Sequence, residues 1–132
     1  MRNWFAIPLA VILASLSLLH AYWALGGRWG VDVTIPVVEG RRAFTPGPLA
    51  TWAVCGLLAL AVVLVVSRSR TGVWGLAVVF LLRAIGDFRM VGFFKSIRDT
   101  DFARWDTRLY SPLCLLIALL AAAVATSSNQ DR

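Results

Sequence analysis

The sequence predicts an all-α membrane protein: four transmembrane helices in an antiparallel bundle, with a long first loop and a short interfacial helix before the fourth span. Three observations carry this. Hydrophobic residues make up 59% of the 132 positions, and mean hydropathy is +0.75, far above the soluble globular norm. The apolar residues gather in runs near the roughly 20 residues that a helix rising 1.5 Å per residue needs to cross a bilayer. Glycines, prolines and charges separate the runs and stop helices there. The spans read Trp4–Leu25, Pro48–Val66, Val73–Phe94 and Tyr110–Thr126, in a single domain over residues 1–132.

The first run follows Arg2 and shows no small-residue cleavage pattern before Leu25, so it reads as a retained span and not as a signal peptide. Tyr22 and Trp23 stand where an interfacial aromatic belt belongs. His20 lies one turn inside them, with Ser17 three residues earlier on the same face. Gly26 and Gly27 stop the helix, and the connection runs to Gly47. Val31–Val38 alternates loosely and is rich in β-branched residues, which predicts a short strand or an extended cover. So long a loop in so small a chain is more often packed or functional than idle.

Pro46 and Pro48 suit the start of the second span, with Thr45 as a candidate cap. Ser67–Gly72 is a tight basic turn that makes the second and third spans neighbours. After the third span, Asp99 or Thr100 can cap a short helix whose apolar edge is Phe102, Trp105 and Leu109, lying in the membrane interface. Ser111 and Pro112 then suit the cap and first turn of the fourth span. Ala118 to Ala125 allows close helix packing, and the polar tail beyond it reads as mobile.

The third run is the unusual one, because Arg83, Asp87 and Arg89 fall inside it. A charge at mid-depth costs roughly 2.5–3.5 kcal/mol on insertion scales. Pairing, water or polar neighbours must offset that, and Arg83 and Asp87 stand at i and i+4, where an ion pair can form. Such a pair is either a packing bolt or part of a site. Gly86 and Gly92 flank the charges and could let the helix bend or unwind, or could simply pack.

Helix direction places His20, Asp87, Arg89, Met90, Thr51, Cys55 and Cys114 toward one end of the bundle, under the two longer connections. The catalytic candidates are His20 and Asp87, as groups able to move a proton. The ligand-binding candidates are Arg83, Arg89, Asp106, Trp23 and Tyr22. The arginines suit an anionic group, while Trp23, Trp29 and Trp105 suit either interfacial anchoring or the walls of an amphipathic pocket. Asp106 and Arg108 can pair with Arg41, Arg42 or Arg89. His20 and Met90, at similar depth, could form an axial pair for haem, but no motif specifies a cofactor. No metal site is expected: there is one histidine, and Cys55 and Cys114 have no metal-type spacing and read as small apolar residues or, less simply, a disulfide or redox pair.

Several function classes fall away. Net charge is +6, yet the basic residues are spread over loops without a stripe or nucleic-acid motif. Anionic headgroups or an anionic ligand fit better. No Walker loop, GxSxG, HExxH or CxxC motif is present.

Four segments carry a resemblance. They are His20-Ala-Tyr22-Trp23-Ala-Leu-Gly26-Gly27, Phe44-Thr45-Pro46-Gly47, Arg83-Ala-Ile-Gly86-Asp87-Phe88-Arg89 and Asp106-Thr-Arg-Leu-Tyr110-Ser111-Pro112-Leu-Cys114. Together and in this order they resemble a family of small bacterial four-helix integral membrane proteins, catalogued only as a domain of unknown function. The resemblance implies a single four-span domain and brings no reaction.

The expected protein is therefore a multi-pass protein of the inner membrane, with membrane lipids as neighbours. Its polar intramembrane site would bind, and could transform, a lipid-like or anionic amphipathic small molecule. A small oligomeric transporter or channel is the alternative, for which a homo-oligomer would be needed, and a structural accessory subunit is a third. Basic residues are more numerous in the two site-side connections, which points those loops to the cytoplasm.

Overall fold

The computed structural model describes residues 4–43 and 47–127. The expectations for Arg2, Thr45, Pro46 and the tail beyond Ser127 lie outside the described residues. Among the described residues the fold is all-α, with four helices and one small hairpin. Helix α1 spans Ala6–Ala24 and α2 spans Pro48–Val66, starting on its proline as expected. Helix α3 spans Arg70–Ile85, and α4 runs continuously over Asp101–Ser127. Strands β1 (Val37–Val38) and β2 (Arg41–Arg42) pair antiparallel, Val37 opposite Arg42 and Val38 opposite Arg41. Their loop residues Glu39 and Gly40 both have positive φ, at 53° and 78°, the backbone that a two-residue hairpin with right-twisted strands requires.

Three of these helices are long and apolar enough to cross a membrane: α1 and α2, each of 19 residues, and α4, of 27. Their outer faces stay apolar, with Ile7, Val11, Leu18, Leu57, Val63 and Leu119 all exposed. So much exposed apolar surface is the mark of a protein whose solvent is lipid. Inside, the contacts follow helical spacing. Leu9, Leu13 and Ser17 form the buried edge of α1, and Leu58, Ala61 and Val65 that of α2. Val73 and Ala77 on α3 meet Ile117, Ala121, Val124 and Ala125 on α4 in one core. The small alanines let α4 come close, as their run predicted.

The structure corrects three expectations. The third apolar run is not a helix to Phe94. It ends at Ile85, and Gly86 has φ 88°. Gly86 and Gly92 lie against each other's backbone: a Cβ on Gly86 would stand 1.8 Å from the Val91 carbonyl oxygen, and one on Gly92 would stand 2.3 Å from that of Ile85. Only glycine permits this pinch, so the chain leaves the helix there. Second, Ser111 is not a cap. The short helix Asp101–Trp105 and the apolar helix Ser111–Ser127 are one helix, joined by a π-turn at Asp106–Tyr110. The wide turn lies directly before Pro112, whose nitrogen has no hydrogen to donate. The cap belongs to Thr100, whose Oγ1 accepts from the Ala103 N–H at 3.1 Å. Third, the short strand expected within Val31–Val38 is present but confined to its end. Val31–Val33 forms a 3-10 turn, and only Val37 and Val38 are strand.

Candidate functional site

Asp106 is the most constrained side chain in the polar end of the molecule. It is fully buried at the first position of the π-turn, a distortion frequent at functional positions. Its Oδ1 accepts from Arg83 Nη2 at 2.9 Å and from Ser111 Oγ at 3.1 Å. Its Oδ2 accepts from the Gly92 N–H at 2.8 Å and lies 3.2 Å from Lys95 Nζ. Lys95 is itself buried, and its ammonium also donates to the Gly92 carbonyl at 3.0 Å and to Thr107 Oγ1. A buried carboxylate is tolerated only when it is paired and hydrogen-bonded, and this one is both.

Two expectations are corrected here. Arg83 pairs with Asp106 and not with Asp87, and Asp106 pairs with Arg83 and Lys95 and not with Arg41, Arg42 or Arg89. The reason is the helix end at Ile85. Asp87 lies beyond it, off the helical i+4 position that would face Arg83. Its Oδ1 instead accepts the backbone N–H groups of Arg89, Met90 and Val91 at 2.9, 2.8 and 3.1 Å. Arg89 is exposed, and its carbonyl accepts from the N–H groups of Ser96 and Ile97.

One donor of the cluster is left over. Arg83 Nη1 is buried and has no partner among the described residues. The cluster thus holds two cations against one carboxylate, with one donor nitrogen to spare.

His20 is placed elsewhere, between α1, α2 and the first connection. Its Nδ1 lies 2.7 Å from the Leu16 carbonyl oxygen, and its ring stands edge-on to Trp23 at 5.1 Å. With a carbonyl at Nδ1, that nitrogen carries the hydrogen, and Nε2 has no partner among the described residues. Trp23 Nε1 donates to the Trp29 carbonyl at 2.8 Å, and Tyr22 Oη accepts from the Trp29 N–H at 3.3 Å. These bonds fold the start of the connection back over the end of α1. An open groove of about 570 Å³ results. His20, Trp23, Arg28 and Arg42 line it, together with Thr34, Thr51 and the apolar Val31, Ile35 and Val54. Arg42 is also held by Asp32 at 2.6 Å.

The sequence-predicted residues therefore divide. The groove takes His20 and Trp23, with Tyr22 buttressing its loop; the buried cluster takes Arg83 and Asp106; the turn beyond α3 takes Asp87 and Arg89. One bond ties groove loop to cluster: Tyr110 Oη, from the π-turn that carries Asp106, donates to the Val33 carbonyl at 2.9 Å. Sequence reasoning missed Lys95 and Ser111 as partners of Asp106, and Arg28 and Arg42 as groove residues. Lys95 stood at the edge of a predicted span, where lysines ordinarily reach for water. A signal for the arginines was present: both sit in the long loop beside glycines, where a chain can turn back over a helix end.

A family model matches residues 13–121, and its description is a protein of unknown function, DUF3995. The chain belongs to the DUF3995 family. The match takes in both the groove residues His20, Arg28 and Arg42 and the cluster Arg83, Lys95 and Asp106. No curated protein and no solved structure matches this DUF3995 chain. The disulfide alternative for Cys55 and Cys114 is corrected: both are free, and Cys55 lies beside Ser17, whose Oγ donates to the Cys55 carbonyl at 2.9 Å.

Proposed function

We infer that this is a multi-pass protein of the inner membrane whose groove binds an anionic, lipid-like small molecule. In this reading the four helices cross the bilayer as an antiparallel bundle in a single domain, with the two long connections on the cytoplasmic side. The observation that carries it is the composition of the groove. Its roughly 570 Å³ falls within the range of about 300–1,000 Å³ usual for small-molecule sites. Two arginines and a histidine share it with an indole and aliphatic side chains, the pattern that an acyl chain ending in carboxylate or phosphate would complement. Should binding lead to chemistry, His20 is the group placed to move a proton, through its free Nε2. Arg83, Asp106 and Lys95 serve behind the site, holding the end of α3 and the π-turn in place. The closure of that cluster also favours a second reading, a structural subunit in which the charges only lock helices together.

Thermal unfolding in mild detergent separates the two. An anionic amphiphile such as oleate or lysophosphatidic acid is expected to raise the unfolding temperature, and a neutral monoacylglycerol is not. Arg28→Ala with Arg42→Ala is expected to weaken the anionic amphiphile at least about tenfold, the equivalent of roughly 1.4 kcal/mol. No stabilisation of wild-type protein by either anion, or full stabilisation of the double variant, would discard the binding reading. Native mass spectrometry of the same preparation would identify an amphiphile that the groove retains.

A further inference from the structure

Helix α3 has 16 residues, a rise of about 24 Å, against about 30 Å of hydrocarbon. The chain that follows, Gly86 to Ile97, is not helical. It nevertheless exposes two large aromatic side chains, Phe88 and Phe94, each 62% accessible, with ring centroids 6.3 Å apart. Leu81 and Leu82, at the end of α3, are exposed as well. Phe88 also holds φ 67°, a backbone region unfavourable for a bulky residue. Its ring is exposed, so packing within the chain does not explain that conformation.

Much of the backbone of the same segment is bonded within the protein. Five successive N–H groups, from Arg89 to Phe93, all have acceptors inside the protein: Asp87 Oδ1 for three, Asp106 Oδ2 for Gly92 and the Ala84 carbonyl for Phe93. The carbonyls of Phe88, Gly92 and Phe93 accept from Ser96 Oγ, Lys95 Nζ and Arg98 Nη2. A loop in water has no need of this, because water satisfies its polar groups. Non-helical backbone at membrane depth must have its polar groups satisfied by protein or by a water-lined cavity.

We propose that residues 86–97 are seated in the membrane and complete the third crossing, with Phe88 and Phe94 in contact with lipid acyl chains. The buried cluster gains a purpose from this. Asp106 and Lys95 act as internal partners for backbone that would otherwise meet hydrocarbon. Asp87, Arg89 and Arg98, all exposed, neighbour the two rings in the chain, so the segment sits at the interfacial end of the crossing, where these charges reach headgroups. The occupant of this surface is the bilayer, since paired exposed phenylalanines over a backbone bonded so largely within the protein suit lipid better than water.

The test is nitroxide depth. Phe88→Cys and Phe94→Cys are made in a Cys55→Ser, Cys114→Ser background, spin-labelled, and reconstituted in phosphatidylethanolamine–phosphatidylglycerol vesicles. Both labels are expected to collide more with oxygen than with a water-soluble nickel chelate, as a label at Leu82 does and one at Arg41 does not. A preference for nickel at both sites would overturn the proposal. So would low collision with both reagents, which would mean that protein covers the rings. If the labelled variants do not fold, wild-type protein in vesicles with a diazirine on the lipid acyl chain gives the same answer. Adducts on Phe88 or Phe94 support lipid contact, and adducts confined to the helices refute it.

Discussion

Arg83 and Asp106 are 23 residues apart in the chain and 2.9 Å apart in space. Their bond ties the last turn of α3 to the π-turn of α4. Lys95 joins it from the irregular segment between them, so three successive elements meet at one buried carboxylate.

Removing that carboxylate should be costly. Asp106→Asn leaves Lys95 buried without a counter-charge, which typically costs about 3–5 kcal/mol. Ser111→Ala removes one neutral donor and leaves Asp106 three others, so about 1 kcal/mol is expected. Reversible unfolding in detergent measures both. Equal costs for the two variants would show that the carboxylate is not the centre of the joint.

The glycines divide into two groups. Gly86→Ala and Gly92→Ala drive a methyl into backbone at positive φ, and each should cost more than about 2 kcal/mol, since backbone cannot step aside. Gly56 and Gly75, inside α2 and α3, have nothing within 4 Å of an added Cβ. Alanine there should stabilise by about 0.5–1 kcal/mol through helix propensity. Circular dichroism melts of the four variants test the contrast.

Asp87 closes the turn beyond α3. Its Oδ1 accepts three successive backbone N–H groups, which no other side chain of the segment can replace. Asp87→Ala should therefore cost about 1–3 kcal/mol, and Asp87→Asn, which keeps a neutral acceptor oxygen, should cost less. Reversible unfolding in detergent ranks the two variants. Equal losses would show that the acceptor at this position does not hold the turn.

Much of the fold was legible along the chain. Apolar runs of span length gave α1 and α2 almost to the residue, and Pro48 marked a helix start. Gly86 and Gly92 were recognisable as places where the third run could leave the helix, but the side on which Arg83 finds its partner was not. On an unbroken helix, i to i+4 is the obvious pairing. Once the helix stops at Ile85, Asp87 turns to its own backbone and Arg83 must reach across. The groove was half legible: His20 and Trp23 stand out near the end of α1, while Arg28 and Arg42 look like any loop arginines until Trp29 is seen folded back on Tyr22 and Trp23.

The sequence by itself determined which stretches are apolar and helical and which family the chain joins, because apolarity, span length and helix-stopping residues act over a few turns of chain. Only the tertiary structure decided which cation meets which carboxylate, and that His20 and Arg83 serve different places. Those outcomes depend on close approach between distant segments: the backbone pinch at Gly86 and Gly92, the wide turn ahead of Pro112, and a buried charge that is stable only where all its partners arrive together.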